Sequence, residues 1–167
     1  MKVLYIGVFR DGTGWGQAAT DYILALDAAG VDVVPRALKL NARQHTPPAR
    51  LLELEAKSSR GADVVIQHIL PHHYDYNGRM LNVGLFASET SDFATSTWSD
   101  RLNTMDAVIC INHQQVGAAR SSGVTVPISV VGHATDISRF QQSYQPLDQL
   151  KPYREAGEFI FYTVGEM

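Results

Sequence analysis

The sequence predicts an α/β protein built on a mostly parallel sheet, and three observations carry that expectation. Apolar runs of strand length alternate with amphipathic stretches of helical period. Most of those runs are continuously hydrophobic rather than alternating, as in strands covered on both faces. Glycines stand where strand passes to helix, at 12, 14 and 16, and where helices stop, at Gly30, Gly61 and Gly123.

The first strand is expected over 2–9, "KVLYIGVF". Trp15, Ala18, Ala19, Tyr22, Ile23, Leu26 and Ala29 then recur at helical spacing, with Gly30 as the stop. A second strand is read over 31–38, a helix over 47–59 and a third strand over 62–70. The polar, aromatic segment 74–80, "YDYNGRM", breaks the rhythm before a fourth strand at 81–87. A short helix at 96–104 precedes the fifth strand, 106–112. Asn112 and Gln115 resemble a capping box opening a helix over 113–122, and the sixth strand falls at 127–132. Right-handed crossovers then give a Rossmann-like three-layer sandwich, with an expected strand order of 3-2-1-4-5-6. After "QQSYQPLDQLKPYREAGE", polar and linker-like, "FIFYTVG" (159–165) reads as one more strand, the first element of a further domain.

Bulk properties bound the function. The 167 residues, 45% hydrophobic and 19% charged, suit one soluble globular domain. A net charge of -3 argues against a general nucleic-acid binder. No apolar run approaches the roughly 20 residues of a membrane span, and Arg10 and Asp11 follow the first apolar run too soon for a secretory signal. The expected location is cytoplasmic. The single cysteine, Cys110, sits in an apolar strand and reads as a small hydrophobe.

The stretch "VFRDGTGWGQAATDYILALDAAG" places Gly12, Gly14 and Gly16 at the carboxyl end of the first strand, where parallel sheets bind ligands. Bare amides and the positive end of the following helix suit a phosphate there, with Trp15 beside it. A Cβ at Gly16 is expected to harm such binding more than folding. Gly14 to Ala19 fits the dinucleotide pattern G-x-G-x-x-A only formally, since no carboxylate closes the second strand, and no P-loop lysine follows. A turn with no ligand stays open beside another nucleotide's phosphate.

Four places together resemble the N-terminal half of a GT-B glycosyltransferase of the retaining family 4 type. They are the glycine loop with its helix ending at Ala29-Gly30, and the run Trp98–Val131. The third is "VVGHATDISRF", similar to the family hinge at Val130, Val131, Asp136 and Phe140, with Gly132 to Thr135 replacing that hinge's Pro-Asn-Gly-Val core. The fourth is "FIFYTVGEM". The resemblance implies an acceptor-side domain at 1–140, a linker at 141–157, and the first strand of a nucleotide-sugar-binding domain at 158–167. It implies transfer of a sugar from a nucleotide-diphosphate sugar to a glycan or lipid-linked acceptor, with no metal or other cofactor required. The fragment by itself would be inactive. A lipid acceptor would bring peripheral membrane association, though no basic amphipathic helix supports it. A non-enzymatic nucleotide- or sugar-binding module and a nucleotide-sugar epimerase are the alternatives.

Within that frame Gly12, Gly14, Trp15 and Gly16 are expected at the donor phosphates. Glu89, after the fourth strand, is the candidate for taking a proton from an acceptor hydroxyl. Ser88, Thr90, His72, His73 and Asn112 are candidates for the acceptor, Asn112 serving equally as a helix cap. His133 and Asp136 lie in the hinge stretch facing the cleft. His68 reads as a core histidine, and His72 and His73 lack the further ligands a zinc site needs.

Overall fold

The computed structural model describes residues 1–42, 44–145, 147–161 and 163. The chain forms an α/β three-layer sandwich on a six-stranded sheet whose neighbouring strands all run parallel. The strands are β1 (Lys2–Gly7), β2 (Asp32–Ala37), β3 (Val64–His68), β4 (Leu81–Phe86), β5 (Ala107–Cys110) and β6 (Ile128–Val130). The helices are α1 (Gly14–Ala28), α2 (Ala49–Glu55), α3 (Trp98–Asn103), α4 (His113–Ser121) and α5 (Lys151–Glu155). Among the described residues no helix is long and apolar enough to cross a membrane.

The strand order corrects the sequence expectation: it is β2-β1-β3-β4-β5-β6, not 3-2-1-4-5-6. The reason lies in β2 itself. Pro35, paired in register with Tyr5, has no N–H to give a second neighbour, so β2 must stand at the sheet edge. β3 therefore returns to the far side of β1. The topological switch point, where crossovers diverge and ligands bind, falls between β1 and β3.

Successive residues of each strand face opposite layers. On one face Tyr5, Val33 and Leu85 pack with Ala19 and Ile23 of α1 and with Leu51 and Leu54 of α2. On the other, Phe86, Val108 and Cys110 pack with Leu102 of α3 and Ala119 of α4. The β3–β4 connection holds only a 3-10 turn, Pro71–His73, and two buried carboxamides do the work of a helix there. Gln67 Nε2 donates to the Asp75 carbonyl (2.7 Å) and its Oε1 accepts from Asp75 N (3.0 Å). Asn82 Nδ2 donates to the carbonyls of Asn77 (2.8 Å) and Met80 (2.7 Å).

Contacts divide the chain into Met1–Thr135, which holds the sheet, and Asp136–Met167. The second unit consists of 3-10 turns at Ile137–Phe140 and Asp148–Leu150 and helix α5, and none of its described residues is buried. Of the strand expected over 159–165, Phe159, Ile160 and Phe161 are not in strand, and Tyr162, Val164 and Gly165 lie outside the described residues.

Candidate functional site

The loops at the carboxyl ends of the strands enclose a cleft of about 510 Å³. Each loop but that of the edge strand β2 contributes: Trp15 after β1, Leu70 after β3, Ser88 and Glu89 after β4, Ile111 after β5 and His133 after β6. Trp98, opening α3, joins them.

Below Trp15 lies His68, the last residue of β3, 1% exposed. Its ring sits 5.3 Å from that of Trp15 and edge-on to Tyr22 at 5.6 Å. Burial, then the neighbouring His133, pushes the His68 imidazole down to about 4. Burial likewise raises Tyr5 well above the usual phenol range. Tyr5 therefore keeps its proton, and its hydroxyl shares a hydrogen bond with Nδ1 of the neutral His68 ring. Tyr22, 5.9 Å from the ring of His133, donates its hydroxyl toward the carbonyls of Val131 (3.1 Å) and Gly132 (2.9 Å). It ties the segment after β6, one cleft wall, to α1.

The glycine loop is more occupied than the sequence suggests. Asp11, 7% exposed, accepts at Oδ1 from Thr13 N (3.0 Å) and Thr13 Oγ1 (2.6 Å). Thr13 Oγ1 in turn caps α1 by accepting from Gly16 N (3.3 Å). A Cβ at Gly16 would lie 2.6 Å from Asp11 Oδ1 and 3.0 Å from the Val8 carbonyl, so the need for glycine there is internal. Gly12 is required by its φ of +67°. Gly14 is open: a Cβ there meets nothing within 4 Å. Among the described residues the amides of Gly14 and Trp15 have no hydrogen-bond partner. Two of the helix's N-terminal donors are thus satisfied internally and two are not. Sequence reasoning missed Asp11. Its signal was Asp-x-Thr before a helix, an aspartate placed to bond the backbone two residues on.

The other candidates divide. Glu89 is exposed in the cleft, with no hydrogen-bond or ion-pair partner among the described residues. Ser88 donates to the Thr90 carbonyl (3.2 Å), and Thr90 Oγ1 to that of Asp92 (2.8 Å), so Thr90 serves its own loop. His72 stacks on Trp98 at 6.3 Å and accepts from its Nε1 (3.3 Å), which puts His72 behind the cleft wall. Partial burial, then His73, lowers its pKa. His73 stacks on His72 at 4.0 Å. Asn112 caps α4 by accepting from Gln115 N (2.8 Å), and Gln115 Oε1 accepts from Ile111 N, one residue before the cap. Asp136 caps the turn that opens the second unit, its Oδ1 accepting from Ser138 N (2.9 Å). Trp98 and Tyr22 are the cleft-forming residues that sequence reasoning did not single out as site residues.

No protein-family model matches the sequence, and no curated protein matches it as a relative.

Proposed function

We propose that the chain is a nucleotide-binding module whose ligand, a nucleotide or nucleotide-sugar, lies in the cleft at the β1/β3 switch point. The observation that carries this is that the open amides of Gly14 and Trp15 begin the helix whose Trp15 lines the cleft together with Trp98. The amides and the N-terminal end of α1 attract a phosphate. Trp15 and Trp98 offer flat apolar surface to a base or sugar ring. The cleft volume falls within the usual range for small-ligand sites.

Trp15 and Trp98 are the only tryptophans in the sequence, so tryptophan emission, excited selectively over the seven tyrosines, reports from this cleft. Titration with UDP, UDP-glucose, GDP and GDP-mannose is expected to quench it saturably, and Trp15→Phe to weaken the ligand that binds. No change with any of the four up to millimolar concentration would overturn the proposal.

A finer reading, as the acceptor-side half of a sugar transferase using a nucleotide-sugar donor and a glycan or lipid-linked acceptor, is favoured by Glu89. Its carboxylate, without a partner among the described residues, can accept a proton from an attacking hydroxyl in the cleft. Release of nucleoside diphosphate only when donor and acceptor are both supplied to the full-length protein tests it.

A further inference from the structure

The glycine loop has a second side. Away from the cleft, Gly12, Thr13 and Gly16 border a separate cavity of about 380 Å³. Gln17 and Thr20 of α1 continue that wall, His45 and Thr46 of the β2–α2 connection face it, and Phe9 and the prolines 47 and 48 supply apolar surface. The connection is pinned to the loop by His45 N donating to the Arg10 carbonyl at 2.5 Å. We propose that this cavity binds an uncharged, polyhydroxylated group of monosaccharide size.

Thr20 is the first reason. It is only 7% exposed, yet its hydroxyl has no hydrogen-bond partner among the described residues. A threonine inside a helix ordinarily bonds back to the carbonyl four residues earlier. Thr20 does not, and its oxygen is not sealed in the protein either, since among the described residues the one buried side-chain polar atom left without a partner is the Tyr74 hydroxyl. The Thr20 oxygen therefore opens into the cavity that Thr20 lines, a nearly buried hydroxyl held ready for a ligand.

Charge is the second. The Asp11 carboxylate lies against Gly16 and opposes the roughly half positive charge at the start of α1. Arg10, the nearest cation in sequence, is ion-paired with Glu55, and among the described residues no lysine or arginine lines the cavity. Besides His45, the polar groups of the lining are neutral and able to donate and accept: the hydroxyls of Thr20 and Thr46, and the Gln17 amide, which gives one of its two Nε2 hydrogens to Asp21 at 2.8 Å. Each hydroxyl of a polyol can likewise do both, while its C–H faces suit Phe9 and the prolines. The volume corresponds to roughly a dozen waters, room for a hexose with a few waters kept. The inference is independent of the cleft, because the two sites share no lining residue and report through different residues.

The test is amide chemical-shift mapping on the ¹⁵N-labelled 167-residue chain, titrated with D-glucose, D-mannose, N-acetyl-D-glucosamine and inorganic phosphate. At least one sugar is expected to shift Gly12, Gln17, Thr20 and Thr46 saturably while Ser88 and Glu89 stay still, and phosphate to leave the first group unmoved. Thr20→Val, which keeps the side-chain shape, is expected to weaken that sugar about fivefold, the worth of one hydrogen bond. Should Thr20→Val disturb the fold, Thr46→Ala at an exposed position is expected to weaken it similarly. Phosphate shifting this group, sugar shifts confined to the cleft, no sugar shifting it up to solubility, or unchanged affinity in the folded variant would each overturn the proposal. A nucleotide that fails to shift the cleft would overturn only the cleft reading.

Discussion

The Tyr5 hydroxyl lies 2.7 Å from Nδ1 of His68, a pair of buried side chains on the neighbouring strands β1 and β3 at the switch point. Burial keeps the imidazole neutral, because a charge at this depth would lose its hydration.

Acid should therefore destabilise the fold through His68. Its pKa is about 4 in the folded chain and 6.5 when unperturbed. Between these values the unfolded chain binds more protons, so stability rises with pH across that window and is complete above it. Lowering the pH from 7 to 4 should remove up to about 3 kcal/mol through this group alone. Urea unfolding at several pH values checks it: His68→Gln should be less stable at pH 7 but lose less on acidification. Parallel profiles for the two proteins would disprove the assignment.

The Tyr74 hydroxyl is buried without a partner among the described residues, and a Cβ on Gly84 would lie 2.5 Å from the Tyr74 ring. Burial lifts the Tyr74 pKa well above the usual phenol range. Tyr74→Phe removes an unsatisfied polar atom and keeps the packing, so it should leave stability unchanged or raise it by about 1 kcal/mol. Gly84→Ala should cost about 1–3 kcal/mol by overpacking. Thermal unfolding of the two variants reads both signs.

Much of this fold is legible in the sequence because strand and helix periods, Gly30, Gly123 and the Asn112–Gln115 cap are local signals. Strand order is not local, yet Pro35 carried it: a proline in mid-strand belongs at a sheet edge. The site was legible only in part. The periods put Trp15, Ser88 and Glu89 at strand ends, but nothing in the spacing says that the glycine loop would turn Gly16 inward onto Asp11 and leave Gly14 outward. That choice depends on side-chain hydrogen bonds across five residues. Nor does spacing place Trp98, from a later helix, in one cleft with Trp15.

The two glycines should consequently separate folding from binding. Gly16→Ala forces a Cβ against Asp11 and the Val8 backbone, and should lower stability by about 1–3 kcal/mol. Gly14→Ala meets nothing and begins a helix, where alanine is the better residue, so stability should hold or rise by up to about 1 kcal/mol. A Cβ beside the open amides should still weaken a nucleotide diphosphate in the fluorescence titration. Normal binding by Gly14→Ala would remove the phosphate from this loop.

Glu89→Gln keeps the shape of the exposed side chain and removes its basicity. On the proposal that the chain is the acceptor-side half of a sugar transferase, transfer should fall about 10²–10⁴-fold, the usual worth of a positioned base, with nucleotide affinity unchanged. Equal loss of both would make Glu89 a binding group.

Asp11→Asn discriminates between the two sides of the glycine loop. The amide keeps an acceptor for Thr13 N and Thr13 Oγ1, so the cap should survive with a loss of about 1 kcal/mol or less. What disappears is the negative charge that opposes the start of α1. An anion at the Gly14 and Trp15 amides should then bind more tightly by about 1 kcal/mol, roughly fivefold, and the gain should shrink as salt is added. A neutral sugar in the cavity beyond Gly16 has no charge to respond, and its affinity should stay the same. Fluorescence titration with UDP and shift mapping with the sugar measure the two effects on one variant. Tighter UDP with unmoved sugar follows if charge alone distinguishes the sides of the loop, whereas equal changes in both would mean that Asp11 acts by shaping the loop.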